Sequence, residues 1–510
     1  MAAENGALPG AKVGGVGDVI RDLPAALAGL DWPTTVLTPS YGSLHKLDGA
    51  TRLFHFDARF RGETHSVTAW EVPGAEPGVR NIVLDHPLFQ PDKPGVVYHG
   101  EEATGPYAID GDKFAFYCSA AASYVEACDE RPAAVHLHDW HAGVYAVLRR
   151  FDSSYPSLAD IPTVFTIHNL SYQGQRPLDG NASSLKAWFP ELEVDPALVA
   201  DPADDDVFNP MAAAIRLADR VNTVSPTYAE EIVNPSDEET GFIGGEGLED
   251  DLARRRADSG LIGILNGCDY RGTAAKPPGW QSIVDISRRT VEQWNSRQPA
   301  EVHDIALDRI ARLPKRRPLH LLASVGRVVA QKMRLFLEPT LSGSTALEDI
   351  LANLGDRGVL LLLGSGDAIY EEQLIDIAAA NDNLVYFNGY SEALGDVLYA
   401  GGDLFLMPSS FEPCGISQML AMRNGQPCVV HGVGGLYDTV EDGVNGFVFD
   451  GRTPLEQADG FVECVDSALK LRRDDPLHWQ TIKNNAKAAR FDWASAATNY
   501  VRLMYEFRSV

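Results

Sequence analysis

The chain has 510 residues, 45% of them hydrophobic, enough for two or more domains with cores of their own. Asp and Glu outnumber Lys and Arg by 71 to 43, a net charge of −28, which excludes nucleic acid as a partner and leaves a neutral polymer open. No apolar run approaches the ~20 residues of a membrane span. The opening residues lack the basic and apolar regions of a signal peptide. Cys118, Cys128, Cys268, Cys414, Cys428 and Cys464 form no C-x-x-C pair, which points to reduced thiols in a cytoplasm rather than to disulfides or zinc.

In chain order, only Met1, Ala2 and Ala3 precede the polar turn at Glu4-Asn5-Gly6, too few for a full strand. The first domain then lacks a full central strand, which would uncover neighbouring strand edges unless these residues serve as its remnant. Strand-like apolar runs follow at 34–38, 134–137, 163–167 and 220–224. The acidic clusters Asp204-Asp205-Asp206 and Asp237-Glu238-Glu239 read as solvated loops. A polar stretch at 271–317 reads as helix. The apolar series restarts at 319–325 and continues at 359–363, 384–387 and 403–408. Strands alternating with helical patterns of 10–15 residues imply an α/β chain built on parallel sheets. The restart divides it into two Rossmann-like domains, 1–265 and 266–490, with a hinge at 265–270. The last segment, 491–510, reads as a helix with Trp493, Tyr500, Leu503 and Met504 at helical spacing.

The chemistry-bearing residues sit where strands hand over to helices. Phe411-Glu412-Pro413-Cys414-Gly415-Ile416-Ser417-Gln418 follows the 403–408 run and precedes a helix. In an open α/β sheet that is where ligands bind. A helix start suits an anion, and a carboxylate accepts hydrogen bonds from sugar hydroxyls. Alone, Glu412 reads more readily as a loop carboxylate beside a cap. Arg327 and Lys332 follow the 319–325 strand and suit phosphate, although two surface cations would look the same. Lys12 with Gly14 and Gly15 allows close backbone approach to phosphate. This loop does not satisfy G-x-G-x-x-G, which lowers the case for a nicotinamide enzyme. His136, His138, Asp139 and His141 call for a metal test. Period-two alternation instead places His136 and His138 on one strand face, as packing residues.

Together and in order, these segments resemble bacterial and plant ADP-glucose-type glycogen and starch synthases. The resemblance also rests on Phe165-Thr166-Ile167-His168-Asn169-Leu170, Val224-Ser225-Pro226-Thr227-Tyr228, Asn266-Gly267-Cys268-Asp269 and Gly434-Gly435-Leu436-Tyr437-Asp438, and it covers nearly the whole chain. It implies a GT-B fold, two Rossmann-like domains facing across a cleft, with the C-terminal helix crossing back to the first. The implied activity is transfer of glucose from ADP-glucose to the 4-OH end of an α-1,4-glucan, with no cofactor and no metal. By the same resemblance Arg327 and Lys332 hold the donor phosphates, opposite the Lys12, Gly14 and Gly15 loop. Asp139 lines the sugar site, and His168 bonds the transferred sugar. Asn266 contacts sugar or phosphate, Tyr390 stacks on the base, and Glu412 holds sugar hydroxyls. Cys414, Gly415, Ile416 and Ser417 complete the donor loop. Cys414 is read as a packed small residue, and Ser417 keeps the hydroxyl of the family's Thr. Met333 stands where the family has Gly. Two other readings remain open: a related GT-B transferase with another donor or a small acceptor, and an inactive glucan- or nucleotide-binding regulatory paralogue.

Overall fold

The computed structural model describes residues 1–99, 106–258, 260–270 and 276–507. The start of the polar stretch (271–275) and the last residues of the final segment (508–510) lie outside the described residues. The chain divides into two compact units. One comprises Met1–Ser236, Gly244–Asp269 and Asp492–Val510, the other Asp237–Ile243 and Tyr270–Phe491.

The first unit holds two four-stranded sheets. One has the order β1-β4-β3-β2, from β1 (Thr34–Pro39), β2 (Thr51–Phe60), β3 (Glu63–Val72) and β4 (Val79–Asp85). The other uses β5 (Val135–His138) and β6 (Thr163–Ile167). A small three-stranded sheet of β7 (Arg176–Pro177), β8 (Ala200–Asp201) and β9 (Asp204–Phe208) stands apart. Then β10 (Arg220–Thr223) and β11 (Leu261–Gly263) complete the order β11-β10-β6-β5, parallel throughout.

Residues 1–3 lie between the two four-stranded sheets. The Ala2 N–H donates to Leu37 O of β1 (3.2 Å), and Met1 O accepts from the His138 N–H of β5 (3.2 Å). The expected gap is thus bridged by main-chain bonds to both edges. Two other expectations change. β2 and β3 form an antiparallel hairpin across Arg61 and Gly62, both at positive φ as a tight two-residue turn requires. The acidic run 204–206 is strand β9 rather than loop: its side chains stay exposed while its backbone pairs with β7 and β8.

The second unit is one parallel sheet of β12 (His320–Val325), β13 (Gly358–Gly364), β14 (Leu384–Asn388), β15 (Leu404–Met407), β16 (Cys428–His431) and β17 (Phe447–Phe449), in the order β14-β13-β12-β15-β16-β17. Its strands are apolar on both faces because helices cover both. Leu322, Leu360, Leu362 and Leu404 join one buried cluster with Phe336 and Phe461. The alternate residues Leu321, Ala323, Leu361 and Phe405 join another with Ile283 and Leu394. Strand order reverses between β12 and β15, the switch point beyond whose carboxyl ends ligands bind in such sheets. The polar stretch supplies the helices Trp280–Arg297 and Glu301–Arg312.

The final segment is a helix, Trp493–Tyr500, continued by a π-helical turn, Val501–Tyr505. Trp493, Ala497, Tyr500 and Met504 pack on Val19, Leu23 and Leu27 of the helix Gly15–Ala28, so the chain's end belongs to the first unit's core. Among the described residues no helix is long and apolar enough to cross a membrane.

Candidate active site

Apart from the Lys12 loop, the assigned residues of each unit lie beyond the carboxyl ends of its parallel strands. In the second unit, Lys332 lies on the helix Ala330–Leu337 after β12, and Glu412 on the loop after β15. The two side chains meet across the switch point with Lys332 Nζ 2.5 Å from Glu412 Oε2, both largely buried. The Ser409 hydroxyl donates to the same oxygen (2.9 Å). Loop and helix are laced together: Gln331 Nε2 donates to Phe411 O (3.0 Å), and the Ser410 N–H donates to Gln331 O (2.8 Å). Gly326 leaves room for the Lys332 stem, since a Cβ there would lie 3.0 Å from Lys332 Cδ. Met333 points the other way, into the buried cluster beneath. The helix can therefore carry Met at that position while Lys332 still faces the switch point. Arg327 is exposed and forms no hydrogen bond or ion pair among the described residues. Tyr390, after β14, exposes 76% of its surface, so its ring is available for stacking.

The 414–417 turn is held from within. Gly415 has φ +75°, a left-handed conformation that favours glycine. Gln418 Nε2 donates to Cys414 O and Gly415 O (both 3.1 Å) and to Thr439 Oγ1 (3.2 Å). Cys414 is buried, as a packed small residue should be. Ser417 Oγ lies 3.1 Å from Tyr399 OH, and Ile416 immediately precedes the helix Ser417–Arg423.

In the first unit, Asp139 follows β5 at φ 55°, a sparsely populated region for a residue with a Cβ. Its carboxylate crosses to β6 and accepts from the His168 N–H (2.7 Å). Burial pushes its pKa up to about 7, against the lowering effect of the His168 and Asn169 N–H groups. His168 Nε2 lies 3.0 Å from His138 Nδ1. The His138 ring stacks on His136, with centroids 4.1 Å apart. The Thr166 hydroxyl donates to Asn222 Oδ1 (2.7 Å), so at 2.6 Å it receives from His136 Nε2. His136 Nδ1 therefore accepts from Tyr505 OH (2.7 Å). Asn222 Nδ2 donates to Tyr500 OH (3.1 Å). His141 is packed between Trp140, Phe114 and Tyr98.

Burial holds all four imidazoles neutral. His168 falls to about 3, and His136, His138 and His141 lie well below their usual value. These rings serve as hydrogen-bonding and packing groups. Among the described residues no group of three or more His, Cys, Asp or Glu is arranged to hold a metal ion. Asn266 lies beyond β11, its N–H donating to Val224 O (3.3 Å) and its buried Oδ1 without a partner.

The Lys12 loop differs from its expected form. Lys12 Nζ donates to Asp18 Oδ1 (2.7 Å), and Asp18 is shared with Arg21 (3.0 Å). The Gly14 N–H donates to the buried Glu4 carboxylate (2.7 Å), so it is not open to phosphate in this state. Gly15 begins the helix Gly15–Ala28, where first-turn N–H groups have no intrahelical acceptor. Sequence reasoning missed Glu4, Ser409, Tyr500 and Tyr505. Ser409 stood close to a motif; Glu4 bonds main-chain N–H groups 9 to 13 residues on, and Tyr500 and Tyr505 bond groups 278 and 369 residues away.

Residues 1–254 match the starch synthase catalytic domain family and residues 321–467 the glycosyl transferases group 1 family. A glycogen synthase from Anaeromyxobacter sp. is 34% identical, covering 97% of this chain and 96% of the relative. Glycogen synthase 2 of Geobacter sulfurreducens is 32% identical, covering 97% and 96%. The catalytic domain of starch synthase IV from Arabidopsis thaliana, solved bound to ADP and acarbose, superposes with a TM-score of 0.74 at 26% identity, covering 98% of this chain and 97% of that one. Sucrose-phosphate synthase from Thermosynechococcus elongatus, 19% identical over 98% and 96% of the two chains with a TM-score of 0.55, shares the fold. The matched families and the shared fold define a GT-B glycosyltransferase. Within that class the chain belongs to the glycogen and starch synthase family.

Proposed function

We propose that this enzyme transfers glucose from ADP-glucose to the terminal 4-OH of an α-1,4-glucan, with retention at the anomeric carbon. The observation that carries this reading is the Lys332–Glu412–Ser409 cluster at the β12/β15 switch point, with the exposed, unpaired Arg327 on the adjoining loop. A departing nucleoside diphosphate builds negative charge, and fixed cations placed where charge develops stabilise the transition state most. Arg327 supplies a cation without a counter-ion of its own. Lys332 supplies a second once the phosphate competes with Glu412 for its ammonium. Glu412 then accepts from sugar hydroxyls.

In the first unit we assign Asp139 and His168 to the transferred sugar and Asn266 to a sugar or phosphate contact, with Lys12 adding positive charge. Cys414, Gly415, Ile416 and Ser417 shape the donor loop, and Tyr390 stacks on the base. The bond from the anomeric carbon to the leaving phosphate oxygen breaks as the bond to the acceptor O4 forms on the same face. The 4-OH proton passes to the leaving phosphate. No pair of carboxylates at glycosidase spacing is needed. The same reading puts the enzyme in the cytoplasm, in keeping with six free cysteines.

The test is incubation with labelled ADP-glucose or UDP-glucose plus glycogen, followed by counting precipitable label. ADP-glucose should transfer faster at matched concentration. Equal or reversed rates overturn the donor assignment, and no transfer from either donor overturns the reading.

A further inference from the structure

We infer that Glu4 is the positioning residue of the Lys12 loop: a built-in anion seated in the backbone nest that the loop forms. The inference rests on the reading above that this loop serves the sugar-nucleotide donor.

Three main-chain N–H groups converge on one carboxylate oxygen. Glu4 Oε2 accepts from Val13 (2.8 Å), Gly14 (2.7 Å) and Gly17 (3.2 Å). Glu4 Oε1 accepts from Tyr98 OH (3.1 Å), and Glu4 itself is only 3% exposed. A concavity of successive N–H groups at a helix start is the geometry that elsewhere binds phosphate. Here the protein fills it with its own carboxylate. The backbone around Glu4 is pinned as well: the Asn5 N–H donates to Ala11 O (2.9 Å), and the Gly6 N–H donates to Gly17 O (3.0 Å).

Glycine at position 17 follows from this packing. A Cβ there would lie 2.9 Å from Glu4 Oε2 and 2.9 Å from Lys12 Cγ. Glu4, the Gly17 turn and the Lys12 stem are thus in mutual contact. Glu4 fixes the turn, and the turn fixes the direction in which Lys12 leaves it. The donor phosphate then meets the Lys12 ammonium and not the three N–H groups that Glu4 occupies.

The experiment uses the full chain with three variants. Glu4→Gln keeps an oxygen for the three N–H groups and presents its amide to the Tyr98 oxygen, so donor and glucan KM should stay within a few-fold of wild type. Glu4→Ala empties the nest. Its donor KM should rise roughly tenfold or more, the scale of several lost hydrogen bonds, while its glucan KM holds. Formate should bring that donor KM back toward wild type, and chloride should not. Gly17→Ala should raise the donor KM as Glu4→Ala does, without rescue by formate.

Thermal denaturation supplies a readout without substrate: formate should raise the midpoint of Glu4→Ala and leave wild type unmoved. A folded Glu4→Ala with unchanged donor KM overturns the inference. So does a raised donor KM that Glu4→Gln shares and formate leaves untouched. If wild type turns over no sugar nucleotide, the functional reading fails on its own, while the melting experiment still decides whether Glu4 is the anion of the nest.

Discussion

The two units manage ionisable groups in opposite ways. Around Asp139 and His168 the first unit removes charge by burial: four imidazoles are held neutral and one carboxyl is pushed up to about 7. Around Lys332 and Glu412 the second unit keeps charge and pairs it, with Arg327 left over. Neutral rings offer directional hydrogen bonds to a polar, uncharged ligand such as a sugar. Paired ions offer a field that a diphosphate can reorganise. On the proposed assignment, the contrast would separate sugar recognition from leaving-group stabilisation before any substrate is present.

Lys332→Ala attacks the charged side and should give the largest effect. Turnover should fall roughly 10²-fold or more, the scale of losing one preorganised electrostatic group. Stability should also fall, by about 3–5 kcal/mol, because Glu412 is left buried without its cation. Urea unfolding should show Lys332→Ala/Glu412→Ala recovering part of that loss and none of the activity. Activity of the single variant within a few-fold of wild type would make the pair structural and erase the contrast.

Asp139 tests the neutral side. With its pKa raised to about 7, the carboxyl is protonated below that pH. If sugar binding needs the carboxylate, kcat/KM falls in proportion to acidity below about pH 7, and Asp139→Asn abolishes both the limb and most of the activity. A flat profile from pH 5.5 to 8 would remove Asp139 from the mechanism.

Stability against pH sharpens the comparison further. For an imidazole with a lowered folded pKa, the unfolded chain binds the extra proton. Its contribution is present above the unfolded value of 6.5 and is lost as the pH falls toward the folded value, about 3 for His168. Asp139 has the opposite sign: its contribution is present below 3.8 and is lost as the pH rises through about 7. Four imidazoles oppose one carboxyl, so unfolding of the first unit should become harder as pH rises from about 4.5 to 6.5. His141→Phe, which keeps the packing against Trp140 and Phe114, should flatten that slope in urea titrations. An unchanged slope would mean that His141 is charged in the fold.

Tyr505→Phe deletes the donor to His136 Nδ1 and should cost about 1 kcal/mol, with turnover reduced only slightly. A loss as large as that of Lys332→Ala would make the histidine stack part of the chemistry. The smallest effect concerns metal: EDTA should leave transfer intact, and stoichiometric zinc lost together with activity would reverse the reading of His136, His138, Asp139 and His141.

Most of this was legible in the chain because the parallel strands are continuous apolar runs and most residues assigned to the chemistry lie where they end. The Leu360–Leu363 run, the Asp139 and His168 strand ends and the Glu412 turn all carry local signals. The β2–β3 hairpin was not legible: the outer half of β2 is exposed and shows no clean alternation. The acidic strand β9 was missed because backbone pairing, and no apolar face, holds it. The Lys332–Glu412 pair joins residues 80 apart in sequence, so both could be assigned to a ligand without any sign that they bind each other. Glu4 was invisible for a related reason, since its partners are backbone N–H groups, which carry no side-chain signature.

The final helix sets a schedule for folding on the ribosome. Tyr505 closes on His136 across 369 residues and Tyr500 on Asn222 across 278. Contacts of such separation come late and slowly. The second unit is translated and able to collapse before Tyr500 emerges, and that interval lasts on the order of tens of seconds. Until then Leu23 and Leu27 lack their cover and the histidine stack lacks its outer partners. A nascent chain stalled just before residue 493 should therefore engage chaperones through its earliest-synthesised half, although that half left the exit tunnel first.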